Sequence, residues 1–161
     1  MASGAQRAVL VRLRAQVQAL LRSGMNPVDW LSLLERAEVV AASLFGSRAA
    51  GSPRADSDAD IAVWLDPSLD PVERLEVGLR LEHELAELSD VPIDVVVLND
   101  ASPNIRHRAL RDGRRLVDRD PRTRMRLETE ALIRYLDTQP LRAELARAQD
   151  ARLTEGRFGR S

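Results

Sequence analysis

The sequence predicts an α/β domain, in the broader sense α+β: a small mixed sheet with helices packed on it and helical additions at both ends. Three observations carry this. Short apolar runs of strand length, Glu38–Phe45, Asp58–Leu65 and Pro92–Asn99, are separated by segments with helical spacing of apolar residues. The apolar content rests on Leu, Val and Ala, with aromatics at 3%, which does not suit a sandwich built on aromatic cross-strand pairs. A chain of 161 residues holds one well-packed core.

Along the chain, Gln6 to Leu21 places Val9, Leu10, Leu13, Val17, Leu20 and Leu21 at helical spacing, an amphipathic helix. Asn26 as cap with Pro27 at the first helical position opens a second helix through WLSLLERA. Glu38–Phe45 is a buried strand ending at Gly46, and Arg48–Ser57 is a loop broken by Gly51, Ser52 and Pro53. Asp58–Leu65 is the second strand, closed by Asp66-Pro67. Asp70-Pro71 with Glu73 starts a helix reaching about Ser89, whose stripe of Val72, Leu75, Leu79, Leu81, Leu85 and Leu88 is expected to be buried.

Pro92–Asn99 is the third strand. A short helix from about Ser102 to Arg111 ends at Gly113, and RRLV is a fourth strand. Asp120-Pro121 opens a last helical region that Pro140 divides in two, and the tail EGRFGRS is expected to fray. The whole chain, 1–161, reads as one domain, with a catalytic core at about 38–118 and a C-terminal helical region at about 121–155. There is no internal repeat and no low-complexity tract.

Composition excludes several classes of function. Without cysteine there is no disulfide, thiolate metal site or cysteine nucleophile. The N-terminus has charges among its apolar positions, which fits neither a signal peptide nor a membrane span, so a cytoplasmic location without membrane contact is expected. A formal net charge of −1 argues against strong direct binding of nucleic acid, despite local arginine clusters at IRHRALRDGRR and RTRMR.

The chemistry lies in LFGSRAAGSPRADSDADIAVWL, Leu44 to Leu65. Alternate residues of a strand share a face, so Asp58, Asp60, Ala62 and Trp64 point one way and Ala59, Ile61, Val63 and Leu65 the other. The two carboxylates, roughly 6 to 7 Å apart at the backbone, can converge on one divalent ion or on a pair about 3.5 to 4 Å apart. Without a cation they repel. Asp94, in an otherwise apolar third strand, completes a three-carboxylate cluster if strands two and three pair. Oxygen-only donors suit Mg²⁺, which takes its remaining ligands from water and phosphate. A strand that ends in Gly46-Ser47 and turns sharply offers backbone N–H groups and a hydroxyl to such phosphates, and Arg48 adds a charge.

GSRAAGSPRADSDAD, with Gly-Ser, ten residues and then Asp-x-Asp, resembles the signature of the DNA polymerase β type nucleotidyltransferase superfamily without insertion or deletion. Chance agreement at this spacing is roughly one in several hundred for such a chain. The short chain, the LFGSRA and SDADIAV contexts and the helical C-terminus with RYLDTQP look most like the minimal nucleotidyltransferase (MNT) antitoxins paired with HEPN ribonuclease toxins. The catalytic-core resemblance covers about Val39 to Asn99 and a weaker one extends to about Leu145.

The resemblance implies a nucleotidyltransferase fold and Mg²⁺-dependent transfer of AMP from ATP to a tyrosine hydroxyl of a HEPN toxin, which would be silenced in a hetero-oligomer. It implies that Gly46, Ser47 and Arg48 bind the nucleotide, and that Asp58, Asp60 and Asp94 bind the metal, two ions in all, with Asp94 helping to deprotonate the acceptor. Transfer to a small hydroxylated molecule such as an aminoglycoside, and neutralisation by binding alone, are the competing readings.

The other noticeable residues have plainer readings. Asp56 reads as a loop carboxylate, Asp66 as a turn residue, and His83 as a surface histidine. His107, among Arg106, Arg108 and Arg111, is expected on a solvated helix face. Trp30 and Trp64 read as core residues, Tyr135 as packing on the C-terminal helix, and Met125, Leu132, Ile133 and Leu136 as a core stripe.

Overall fold

The computed structural model describes Val17, residues 27–49 and residues 57–154. The expected helix Gln6–Leu21, apart from Val17, and the tail EGRFGRS lie outside the described residues. In chain order the elements are α1 (Pro27–Leu34), β1 (Val39–Phe45), α2 (Gly46–Ala49), β2 (Ala59–Leu65), α3 (Pro71–Glu87), β3 (Ile93–Val97), α4 (Pro103–Asp112), β4 (Arg114–Asp118), α5 (Pro121–Asp137) and α6 (Gln139–Thr154). The four strands form one mixed sheet in the order β3-β2-β1-β4, with β1 antiparallel to β2 and β4, and β2 parallel to β3. All seven residues of β1 are buried, as a central strand covered on both faces requires.

Helices α3, α4 and α5 start at capping side chains, while Asn26, the cap expected before α1, lies outside the described residues. The Asp70 side chain accepts from the backbone N–H groups of Val72 and Glu73, at 2.8 and 2.9 Å, while the Asp70 N–H donates to the Glu73 carboxylate at 2.8 Å, a reciprocal capping box. Ser102 and Asp120 cap α4 and α5, each with proline following. Beyond β3, Asn99 extends the ladder with its side chain, accepting from the Leu65 N–H at 2.9 Å and donating to the Leu65 carbonyl at 3.0 Å.

Two apolar layers sandwich the sheet. On one face Trp30 and Leu34 of α1, Leu81 and Leu85 of α3 and Val17 pack on Ala42, Leu44, Ile61, Val63 and Leu65. On the other, Ala109 of α4 and Leu127 and Ala131 of α5 pack on Ala41, Phe45, Ala62 and Trp64. Both tryptophans are thus in the core. Among the described residues no helix is long and apolar enough to cross a membrane.

Several expectations are corrected. On α3 the buried residues are Val77, Gly78, Leu81 and Leu85, whereas Val72, Leu75 and Leu79 are more than half exposed. At 3.6 residues per turn these sets fall on different sides of the helix, and only one side meets the sheet. On α5, Leu127 and Ala131 reach the core, while Met125, Leu132, Ile133 and Leu136 face outward. His107 is half-buried rather than solvated: its ring stacks on Tyr135 with centroids 3.8 Å apart, and the Arg142 guanidinium lies 3.8 Å from the Tyr135 ring centroid. Tyr135 therefore packs as expected, between two other side chains. Arg48 and Ala49, expected in a loop, belong to the helical turn α2, because the chain reverses at once after Phe45. Residues 50–56, including Asp56, lie outside the described residues.

Candidate active site

Strand register builds the site. Phe45, the last residue of β1, is paired with Asp60 of β2, and Asp60 is paired with Asp94 of β3. Paired positions of neighbouring strands share a face, so Gly46, Asp60 and Asp94 line up across one end of the sheet. The face is the one that Ala62 and Trp64 continue into the core. Asp58 lies just before β2 rather than in it, and is exposed.

Gly46 adopts φ +73°, a left-handed conformation that side-chain-bearing residues avoid. It also has no room for a side chain: a Cβ would stand 2.1 Å from Asp60 Oδ2 and 3.0 Å from its Cγ. Glycine thus permits both the sharp turn into α2 and direct contact with the carboxylate. Ser47 is exposed in the turn, next to this contact in sequence. Arg48 folds back, its Nε donating to the Ser57 carbonyl at 2.8 Å, and so joins the two ends of the 50–56 segment. That bond gives Arg48 a bracing contact that the sequence does not reveal.

The carboxylates act on one another. Burial raises the pKa of Asp60 above the usual carboxylate value, the charges of Asp94 and Asp58 raise it further, and Arg108 offsets part of the rise. Asp94 is raised by burial first, then by Glu82 and Asp58. Glu82 reaches this end of the sheet from α3, where its carboxylate accepts from the Val95 N–H at 3.1 Å. Among the described residues no three carboxylates or imidazoles are already gathered in a metal's ligand geometry. The donor set nonetheless fits a hard divalent cation: the donors are all oxygens, Asp60 and Asp94 are adjacent, and their mutual repulsion is what a cation relieves.

Arg108 is the residue that sequence reasoning weighed only as part of a cluster. Its guanidinium carbon lies 6.0 Å from the centroid of the Phe45 ring, and its charge favours the ionised form of Asp60. Two positions earlier Arg106 points the other way, 9% exposed against Trp64. The available signal was helical phase: residues two apart on a helix face opposite sides, so these arginines cannot serve one site.

The family described as Polymerase beta, Nucleotidyltransferase matches residues 31–122. Among solved structures, a toxin-antitoxin crystal structure with AMP-PNP is similar at 25% identity and a TM-score of 0.60, over 77% of this chain and 98% of that one. A re-refined structure of tri-AMPylated Shewanella oneidensis HEPN toxin in complex with MNT antitoxin is similar at 23% identity and a TM-score of 0.54, over 75% and 92% of the two chains. A further structure from Shewanella oneidensis is similar at 21% identity and a TM-score of 0.53, over 75% and 91%. At these last two identities the likeness speaks for the fold. No curated protein matches the chain in sequence. With more than half of its length matched, the chain belongs to the polymerase beta nucleotidyltransferase family.

Proposed function

We propose that this nucleotidyltransferase is the antitoxin of a HEPN toxin, and that it transfers AMP from ATP to a tyrosine hydroxyl of that partner. The observation that carries the reading is the alignment of the Gly46 turn with Asp60 and Asp94, a side-chain-free turn in contact with one of two paired carboxylates. Support for the nucleotide and the partner comes from the similar toxin-antitoxin structure with AMP-PNP, nearly all of whose chain is covered.

In this reading Gly46 and Ser47 hold the triphosphate, and Asp58, Asp60 and Asp94 hold Mg²⁺ ions. Those ions, when bound, supply positive charge that stabilises the attacking oxygen and the departing pyrophosphate. Gly46 leaves the turn beside Asp60 free of a side chain, and Arg108 adds a positive charge that acts on Asp60. The phenolic oxygen forms a bond to the α-phosphorus, the bond from that phosphorus to the bridging oxygen breaks, and pyrophosphate leaves with the electron pair. Asp94 takes the phenolic proton; burial first, then the charges of Glu82 and Asp58, raise its affinity for one.

The test is the intact mass of the product encoded by the neighbouring gene after incubation with this protein, ATP and Mg²⁺. The Asp58→Ala/Asp60→Ala double variant is the control. A gain in whole units of AMP that the control lacks is expected. Tight association without a gain would indicate an antitoxin that acts by binding, and neither gain nor association would point to a small hydroxylated acceptor.

A further inference from the structure

A second polar cavity lies at the other end of the sheet. Trp64 is one strand turn beyond Ala62, well along β2 from Asp60, and it borders a cavity of about 120 Å³. Arg74 of α3, Asn99 after β3, Arg106 of α4, and Glu130 and Arg134 of α5 complete the wall that matters here.

The charges in this wall do not balance. Arg74 is held by Asp100 through two bonds of 2.6 and 2.7 Å, so these two charges cancel. Glu130 is paired with Arg126 at 3.1 Å. Arg106 and Arg134 are left without an ion pair among the described residues, and each repels the other. Arg106 is 9% exposed; burial followed by Arg134 lowers its pKa, and the charges of Asp100 and Glu130 offset only part of that. Its Nη2 donates to the Asn99 carbonyl at 2.5 Å and its guanidinium carbon lies 5.9 Å from the Trp64 ring centroid.

Two donors in the same wall are buried and have no acceptor: Nε of Arg106 and Nε1 of Trp64. A buried guanidinium without an ion pair and a buried N–H without an acceptor each cost stability, and one small anion seated between them would answer both. A guanidinium beside a second cation matches a tetrahedral oxyanion, which presents several acceptor oxygens and up to two charges. The cavity has no room for a sugar and base.

We infer that the Trp64–Arg106–Arg134 cavity is a binding site for phosphate, separate from the Gly46–Asp60–Asp94 site. The inference does not depend on nucleotide transfer. A bound phosphate would join β2, α4 and α5, so its occupancy stabilises the packing of the C-terminal helices on the sheet.

The test uses the two tryptophans, both buried and on opposite faces of the sheet. Full-length ¹⁵N-labelled protein is titrated with inorganic phosphate at constant ionic strength, set with chloride, and the two indole N–H resonances are followed. Expected is a saturable shift of the Trp64 resonance while Trp30 stays still, with affinity reduced by about 10-fold or more in Arg106→Met and Arg134→Gln. Arg134 is exposed on its helix, so Arg134→Gln decides the matter if Arg106→Met fails to fold. Phosphate should also raise the Tm of the native protein and not that of Arg134→Gln. The inference is overturned if Trp64 shows no saturable shift up to about 50 mM phosphate, if both indoles move together, or if the shift persists unchanged in Arg134→Gln.

Discussion

The α-carbon of Gly46 rests against the carboxylate of Asp60, and a methyl group added there would stand 2.1 Å from Oδ2. Gly46→Ala must therefore displace Asp60 and also hold alanine in a left-handed conformation, itself costing about 1–2 kcal/mol. A Tm loss of about 5 °C is expected, with nucleotidyl transfer falling by about 100-fold because the displaced carboxylate is a metal ligand in the proposed function. A double-mutant cycle checks the cause: in an Asp60→Ala background the Gly46→Ala penalty on Tm should shrink towards the conformational cost alone.

Removing either facing carboxylate should trade activity for stability. Asp60 and Asp94 bind protons more readily in the folded chain than in the unfolded one, so their ionisation costs stability above their raised folded pKa values. That cost disappears as pH falls below the ordinary carboxylate value. Asp60→Asn and Asp94→Asn are expected to abolish transfer while raising the unfolding free energy at pH 7 with metal chelated, by under about 1 kcal/mol because solvent screens the groups. The gain should vanish in melts near pH 3. Mg²⁺ should stabilise the native protein more than either variant.

Arg108→Gln removes the cation that offsets the charge around Asp60. ATP binding, measured calorimetrically, is expected to weaken by about 10-fold, while AMP binding changes less because fewer phosphate charges are lost. Arg108 is exposed and forms no ion pair among the described residues, so the Tm should stay within about 1 °C.

Two leucines two positions apart on α3 should behave differently. Leu81 is 0% exposed and Leu79 58% exposed. Leu81→Ala is expected to cost about 3 kcal/mol in denaturant unfolding, and Leu79→Ala under about 0.5 kcal/mol.

These leucines also show where sequence reading stops. The alternation of Asp60, Ala62 and Trp64, the Gly-Ser break and the caps at Asp70, Ser102 and Asp120 are local signals, and they place β2, helix starts and the Gly46–Asp60 neighbourhood correctly, although Asp58 falls just outside the strand. Asp94 could be matched to Asp60 because an acid amid Ile93 and Val95 has no place in a core. Which side of α3 or α5 meets the sheet is a tertiary question. Leucines surround much of each helix, so periodicity alone could not separate Leu79 from Leu81 or Leu132 from Ala131. The opposite destinations of Arg106 and Arg108, and the reach of Arg48 to Ser57, depend on neighbours brought together only by folding.

The parallel pairing of β2 with β3 also constrains when this protein can act. Parallel neighbours cannot be joined by a tight turn, so Asp60 meets Asp94 only after α3 has carried the chain back across the sheet. α3 carries its own capping box and can begin to form locally, but the pairing it serves is non-local and slow by comparison. A nascent chain has no facing carboxylates until β3 has emerged and docked. In the proposed function, competence therefore arrives together with the folded sheet, and a chain stalled or cleaved before Asp94 is expected to be inert rather than partly active.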